Sequence, residues 1–267
     1  MRVVLLGTGG SAGVPLIGGA DGRGDWGLCD PEEPRNRRTR TSIVVESDIG
    51  QRLLVDTSPD LRSQLLGCGV PSVDAILFTH AHADHISGLD DVRILNRIID
   101  RPLEAFATPR TLEELLRRFG YAFKPWTGPG FFRPALIERP VEPGDTVDIA
   151  GITVQLFDQN HGFAQSLGLR IGNFAYSTDV VRLDDAAFAR LAGVDTWMVD
   201  CFQRNGPHST HAYLDVALDW ARRVGARRTL LTHMGPEMDW AWMLDNLPDG
   251  VEAAYDGQIL NIPSRSS

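Results

Sequence analysis

The chain has 267 residues, with 26 basic and 35 acidic side chains and a net charge of −9. This length fits one large domain, residues 1–267, and the acidic balance argues against extended nucleic-acid binding, which relies on basic surface. No apolar run is long enough to cross a bilayer, and the N-terminus lacks a signal-like core, so we expect a cytoplasmic protein with no membrane partner. Three widely separated cysteines suit a reducing compartment rather than a disulfide framework.

The first predicted strand, residues 3–6, leads into a glycine-rich turn at residues 7–15. Such a turn resembles part of a dinucleotide fingerprint. Pro15 and the glycines after it prevent a helix from starting there, so the helix N-terminus that would bind phosphate is missing. We therefore reject a nucleotide cofactor at this turn.

Residues 35–42 contain four arginines within six positions, ahead of a predicted strand at 43–46. Guanidinium groups match phosphate oxygens in a bidentate manner, which makes Arg37, Arg38 and the nearby Ser42 candidates for substrate binding. A solvated charged turn leading into the strand explains the same pattern equally well. Both interpretations stay open at this stage.

The most informative segment is Thr-His-Ala-His-Ala-Asp-His at residues 79–85, which directly follows an apolar run that we predict to be a buried strand. It supplies His80, His82, Asp84 and His85, and imidazole and carboxylate are ligands for zinc or manganese. A rigid sheet can aim a loop at the end of its strands into a crevice. A histidine-rich surface loop is the alternative, but three histidines with an interleaved aspartate favour a metal site.

Three more potential ligands follow strand-like runs later in the chain: His161, Asp179 and His233. Each alone could be a cap or turn residue. The repeated order of strand and then metal-type side chain places them along one sheet edge. Holding two metal ions takes about six ligands, and the combined set is large enough.

This pattern resembles the metallo-β-lactamase superfamily, whose members hold a dinuclear centre in an α/β fold. The expected architecture is a four-layer αβ/βα sandwich of two mixed sheets flanked by helices. The resemblance implies two divalent ions, zinc or manganese, and the following ligands: His80, His82 and His161 for the first ion, Asp84, His85 and His233 for the second, and Asp179 as a bridge. An aspartate bridge is typical of the phosphodiesterase, glyoxalase and nuclease branches, whereas lactam-cleaving members commonly have cysteine there.

The glycine-rich opening and the arginine-rich segment are similar to the phosphoribosyl cyclic phosphodiesterase group, which is related to tRNA 3′-processing endonucleases. The resemblance implies a general acid at the start of a helix near residues 212–223, and His211 matches that position. His208 is the competing candidate, although it reads equally well as part of a helix cap. Asp84 is a further catalytic candidate, and Asp56 matches the aspartate that orients a ligand histidine.

Members of this group often carry a second, structural zinc site. It uses cysteines in the loop near position 29 and a histidine shortly after position 233. This chain retains only Cys29, and Gly235 and Pro236 follow Met234. Because a structural zinc needs at least three or four such ligands, we predict none here.

The resemblance implies hydrolysis of a small phosphodiester, either a cyclic ribose phosphate or a nucleotide-like diester. The ions would lower the pKa of a bridging water, the resulting hydroxide would attack phosphorus, and His211 would protonate the leaving oxygen. A tRNA 3′-processing endoribonuclease and a glyoxalase-type thioesterase are the alternatives. We see no long basic insertion of the kind that the former uses, and we expect no basic C-terminal module of the kind that the latter uses.

Residues 121–134 are aromatic and rich in helix breakers. This segment could be a lid over the site, a dimer contact or a loop packed on its own core. Enzymes of the resembling group are often dimers, so a homodimer is a further expectation.

Overall fold

Aliphatic and β-branched runs form fourteen strands within residues 1–263, the part of the chain that this computed structural model describes. In chain order the strands are β1 (Arg2–Gly7), β2 (Ser42–Glu46), β3 (Arg52–Val55), β4 (Ala75–Leu77), β5 (Leu103–Ala107), β6 (Leu136–Pro140), β7 (Thr146–Ile149), β8 (Ile152–His161), β9 (Ala164–Ile171), β10 (Phe174–Ser177), β11 (Thr196–Asp200), β12 (Arg228–Thr232), β13 (Val251–Ala253) and β14 (Ile259–Asn261).

The strands build two seven-stranded sheets, ordered β14-β1-β2-β3-β4-β5-β6 and β13-β12-β11-β10-β9-β8-β7. In the first sheet, β14 to β3 pair antiparallel and β3 to β6 pair parallel. In the second, β7 to β10 pair antiparallel and β10 to β13 pair parallel. Both sheets are therefore mixed, as the sequence predicts.

Helices cover the outer face of each sheet. They are α1 (Leu61–Gly67), α2 (Ala83–Ile86), α3 (Val92–Ile99), α4 (Pro109–Phe119), α5 (Asp185–Leu191), α6 (Leu214–Val224) and α7 (Trp240–Asn246), with short 3-10 helices at Pro34–Asn36, Leu89–Asp91 and Gly120–Phe123. The apolar faces of α1 to α4 pack on the first sheet, and those of α5 to α7 pack on the second. A third apolar cluster fills the space between the sheets. This arrangement confirms the predicted four-layer αβ/βα sandwich.

Strand β2 illustrates how the sequence serves two cores. Successive side chains of a strand point to opposite faces of the sheet. Ile43 and Val45 therefore enter the cluster between the sheets, while Val44 enters the cluster beneath the helices. Because both faces are buried, the strand is a continuous apolar run rather than an alternating one.

The parallel strands end at one edge of the sandwich. In the first sheet, β3 and β4 end just before Asp56 and Thr79; in the second sheet, β10 and β12 lead to Asp179 and His233. Parallel neighbours in a sheet have their carboxyl ends at the same edge. Polar residues distant in sequence therefore meet there.

The aromatic segment at residues 121–134 packs on itself. The ring of Trp126 stacks on Phe131 at 5.1 Å and contacts the edge of Phe132, and the guanidinium of Arg133 lies over it. Arg97 of α3 donates to the Phe131 carbonyl and ties the loop to the first sheet's helices. These contacts agree with the loop-packing alternative.

Among the helices of residues 1–263, none combines the length and the hydropathy of a bilayer-spanning segment. The expectation that residues 1–267 form a single domain stays a prediction.

Candidate metal centre

The seven predicted ligands lie together at the edge where the two sheets meet. Their donor atoms form two groups in which all atoms lie within 4.8 Å of one another: His80, His82, His161 and Asp179, and Asp84, His85, Asp179 and His233. The first sheet provides the ligands of residues 80–85, and the second sheet provides the other three. This geometry has the same division into two groups, with a shared Asp179, that the sequence resemblance implies.

Asp179 directs its two carboxylate oxygens to different groups. Oδ2 lies 3.5 Å from His80 Nε2 and 3.6 Å from His161 Nε2. Oδ1 lies 3.2 Å from His85 Nε2 and 3.3 Å from His233 Nε2. A carboxylate in this position can hold one cation with each oxygen.

The donor set fits divalent metal ions. Within residues 1–263, the buried Nε2 atoms of His80, His85 and His233 have no hydrogen-bond partner. An unsatisfied buried polar atom is costly, so native structures rarely leave several of them facing one another. Imidazole nitrogens and carboxylate oxygens at this spacing are the ligands that zinc and similar ions accept. The cluster is a His/Asp metal-binding site.

Asp56 orients two of the histidines. Its carboxylate accepts hydrogen bonds from His85 Nδ1 at 2.7 Å and from the backbone and hydroxyl of Thr79 at 2.8 and 2.7 Å. The Thr79 hydroxyl in turn accepts from His80 Nδ1 at 3.0 Å. Both rings therefore carry their proton on Nδ1 and present Nε2 to the centre, which is the role predicted for Asp56.

The other histidines are fixed by different partners. His161 donates Nδ1–H to the Thr210 carbonyl at 2.7 Å, so its Nε2 also faces the centre. His82 differs, because its Nδ1 is the atom that approaches His161 Nε2, at 3.1 Å. His233 Nδ1 lies 3.9 Å from a carboxylate oxygen of Asp200.

Asp200 is a site residue that the sequence analysis did not identify. It is fully buried at the end of β11, and one of its oxygens accepts from His211 Nδ1 at 2.8 Å. The same oxygen accepts the Val180 backbone N–H at 2.9 Å. Its sequence pattern is the same as that of the predicted ligands: an apolar strand that ends in a metal-type side chain, here a carboxylate.

His211 lies closer to the cluster than His208. Its ring stacks on His233 at 4.6 Å and lies 4.9 Å from His161. The ring of His208 contacts His211 and Phe202, at 5.2 and 5.1 Å, and is more exposed. Burial disfavours the protonated His211 ring, but the charge and hydrogen bond of Asp200 outweigh burial and raise its pKa to about 9.

Burial and neighbouring charges set the ionisation of the cluster. Burial opposes the charged form of Asp179, but the surrounding His233, His85 and His80 rings hold its pKa well below the usual range. Burial, reinforced by His85, holds the pKa of His80 well below the usual value. At His85 burial again disfavours the charged form, but the neighbouring carboxylates outweigh burial and raise its pKa well above the usual value, so His80 and His85 are shifted in opposite directions.

The glycine-rich turn after β1 supports the His233 strand end. Gly10 N–H donates to the Met234 carbonyl at 3.1 Å, and Met234 N–H donates to the Thr8 carbonyl at 2.9 Å. A Cβ atom at Gly10 would lie 2.7 Å from the Phe202 ring. The turn therefore needs glycine because backbone and aromatic ring approach closely.

Arg38 does not bind substrate, which corrects one prediction. It is 2% exposed, and its guanidinium donates to the Met238 carbonyl at 2.7 Å and to Asn36 at 3.2 Å. The side chain joins the loop after β1 to the segment before α7, and Cys29 lies beside it at 3.8 Å. Arg37 is exposed, with its guanidinium 4.9 Å above the Trp26 ring.

Ser42 is a second correction. The side chain is fully buried in β2, and its hydroxyl donates to the carbonyls of Val55 and Asp56 at 2.9 and 3.1 Å. Its hydrogen bonds hold the end of β3 rather than a ligand. The segment is therefore not simply the solvated charged turn that the sequence left open, because Arg37 is exposed but Arg38 is buried and holds the Met238 carbonyl.

A cavity of about 720 Å³ opens beside the first group of ligands. His80, His82 and His161 form part of its wall, and other parts come from α4, from β8 and β9 with the turn between them, and from loop residues such as Glu142 and Thr210. Neither His211 nor His233 lines it. No residue of the 121–134 segment contributes to the described lining, so that segment does not cover this cavity.

A family model described as the beta-lactamase superfamily domain matches residues 51–234. Among solved structures, the chain is similar to a diphosphatase from the PhnP family, with 33% identity, a TM-score of 0.87 and coverage of 98% of both chains. It shares its fold with Zn²⁺-bound PqqB from Methylobacterium extorquens, with 20% identity and a TM-score of 0.73 over 98% of this chain and 100% of that one.

Curated relatives include a protein named octanoyltransferase from Porphyromonas gingivalis, which is 32% identical over 258 residues, 96% of this chain and 51% of that protein. A ribonuclease Z from Bradyrhizobium sp. is 31% identical over 140 residues, 51% of this chain and 44% of that protein. The chain thus spans about half the length of these two relatives.

Proposed function

The chain belongs to the beta-lactamase superfamily of metal-dependent hydrolases, and from that premise we propose that it cleaves small phosphodiesters at a pair of divalent cations, zinc or manganese. The main support is that the two oxygens of Asp179 face two different groups of histidines. The hydrogen-bonded pair His211–Asp200 lies directly beside these groups. The diphosphatase name of the PhnP-family neighbour and the ribonuclease Z name of a relative support phosphorus–oxygen bond cleavage.

Each part of the site has a task in this reaction. Divalent cations, when bound, neutralise charge on phosphoryl oxygens and favour deprotonation of water. His80, His82 and His161 would hold one cation, Asp84, His85 and His233 would hold the other, and Asp179 belongs to both groups. Asp56 fixes the ring orientation of His85 directly and that of His80 through Thr79.

His211 is the proposed general acid. Asp200 holds its Nδ1–H, which leaves Nε2 as the atom that can transfer a proton to the leaving oxygen. The stacking on His233 keeps the ring beside the cluster. His208 is the weaker candidate because its ring contacts His211 and Phe202 rather than the predicted ligands.

We do not propose octanoyltransferase activity for this chain. The relative with that name is about twice as long, and this chain matches 51% of it.

Metal-loaded protein should be assayed on bis(p-nitrophenyl) phosphate, a cyclic ribose phosphate and a cyclic nucleotide, with precursor tRNA as a comparison. We expect turnover of at least one small diester and none on the tRNA. His211→Ala should lower kcat by about 10²-fold or more at unchanged metal content, whereas the matched variant His208→Ala should stay within a few-fold of wild type. Failure of the metal-loaded enzyme to cleave any small diester would refute the proposal.

A further inference from the structure

Phe163 is an exposed side chain that lines the cavity beside the first ligand group. It is 90% exposed and belongs to none of the three apolar clusters of residues 1–263. It nevertheless lines the cavity, two positions after the predicted ligand His161. An exposed phenylalanine in a concave site can contribute a large apolar face to a ligand.

The turn that carries Phe163 packs against a neighbouring loop. His161 pairs with Ala164 across the β8–β9 hairpin, so Gly162 and Phe163 form its two-residue tip. Gly162 has a φ of 72°, and a Cβ there would lie 2.6 Å from the Ser209 carbonyl oxygen. The close approach of this backbone to the 209–210 loop fixes the tip, so the aromatic ring starts from a defined backbone position.

The charges in the cavity restrict what can bind opposite this ring. The wall contains three arginines and four carboxylates: Arg110, Arg117, Arg118, Glu113, Glu114, Glu142 and Asp158. Glu114 already pairs with both Arg117 and Arg118, at 2.6 and 2.9 Å. A second phosphate would therefore meet a balanced, slightly acidic wall, whereas hydroxyls and ring nitrogens would find both donors and acceptors.

We propose that Phe163 is a specificity-determining residue and stacks on the base of a nucleoside that is esterified to the scissile phosphate. The cavity then holds the sugar and base, between the Phe163 turn and α4. This inference rests on the proposed phosphodiesterase function and adds the class of substrate. Base–aromatic stacking tolerates every base, so Phe163 selects for a nucleoside but not for a particular sequence.

Two diesters with the same leaving group test the inference: thymidine 5′-(p-nitrophenyl phosphate) and methyl p-nitrophenyl phosphate. Phe163→Ala should lower kcat/KM on the thymidine diester by about 5- to 150-fold, the range expected for loss of one stacked base. Its kcat/KM on the methyl diester should stay within about twofold of wild type. Phe163→Tyr should retain the preference for the nucleoside, and Phe163→Leu should lose most of it, because stacking requires a planar ring.

Phe132→Ala is the matched control, because Phe132 is 71% exposed but lies in the aromatic segment away from the cavity. Titration with thymidine 5′-monophosphate provides a readout independent of turnover. Phe163→Ala should raise the Kd for this nucleotide by about the factor by which it lowers kcat/KM on the thymidine diester. Equal loss on both diesters, or no loss on either, would overturn the inference while leaving the phosphodiesterase function intact. A wild-type enzyme that cleaves neither diester would instead overturn the function, and the inference with it.

Discussion

His211 donates its Nδ1–H to Asp200 at 2.8 Å, inside a pocket where Asp200 is fully buried. The other oxygen of the same carboxylate faces His233 Nδ1 at 3.9 Å. One buried aspartate therefore faces both the proposed acid and a predicted metal ligand. The proposed acid and the second ligand group therefore share one neighbouring carboxylate.

Asp200→Asn should reproduce the loss of His211. An amide keeps the shape but offers an N–H where the carboxylate accepted one, so the ring loses its fixed tautomer. We expect kcat to fall by about 10²-fold. The double variant with His211→Ala should be no slower than His211→Ala alone, because the two residues act as one unit. Independent, multiplicative losses would contradict this, and Asp219→Asn on the exposed face of α6 is the control.

Asp179→Asn should reduce metal binding more than His161→Ala does. Asp179 is shared by both groups, whereas His161 belongs to one. We expect elemental analysis after zinc loading and dialysis to give about one ion per chain for His161→Ala and fewer for Asp179→Asn. Asparagine keeps the backbone conformation at this position, so the loss reports on charge. Equal losses in both variants would indicate a single ion, and Asp158→Asn on the same strand as His161 is the control.

Arg38→Ala should destabilise the fold without changing KM. The substitution leaves the Met238 carbonyl and the Asn36 amide oxygen with fewer donors in a buried site. We expect a loss of about 3 kcal/mol and a fall in Tm of roughly 5–10 °C. Arg37→Ala, which removes only an exposed contact with Trp26, should cost less than about 1 kcal/mol. A raised KM with an unchanged Tm for Arg38→Ala would restore the substrate-binding role.

Glu46→Gln should change how the free energy of unfolding depends on pH in the acid range. Burial opposes the charge on Glu46, but hydrogen bonds from Arg52 and Arg2 outweigh burial and lower its pKa below the usual 4.5. A lowered pKa in the folded state stabilises the fold above about pH 4.5, and this contribution is lost as the pH falls through the folded value. Thermal melts should therefore show a small deficit for the variant at pH 7, about 1 kcal/mol or less.

That deficit should shrink as the pH falls through the folded-state pKa of Glu46, where the wild-type carboxylate becomes protonated as well. Glu32→Gln is the control, since Glu32 is exposed. A deficit that is the same at pH 7 and pH 3 would show that packing, and not the ion pair, is responsible.

Much of the site could be predicted because its ligands follow a local rule. His161, Asp179 and His233 each come directly at or after the end of a buried strand, and the apolar run that marks the strand is visible in the sequence. The predicted strand before His80 spans Ala75–Leu77, and the side chain of Asp74 just before it accepts the Arg52 backbone N–H at 2.8 Å. Helix α6 begins two residues later than predicted, at Leu214, and ends at Val224.

The remaining residues could not be predicted because their roles depend on distant partners. Nothing near Arg38 indicates that its guanidinium binds a carbonyl 200 positions away. Asp200 follows the same strand-end rule as the ligands, but an aspartate at a strand end is more often a turn residue. Phe163 lies at a hairpin tip whose Gly162 packs against the 209–210 loop, a contact that no local pattern encodes.

Three residues of the centre share an uncommon backbone conformation: Asp56, Asp179 and His233 have φ angles of 64°, 54° and 56°. Residues other than glycine rarely adopt this left-handed region, and aspartate and histidine tolerate it better than bulky residues do. The main-chain conformation at these three positions therefore helps to set the direction of the side chains. Inserting a glycine into these turns would therefore lower metal affinity even though every donor atom is still present.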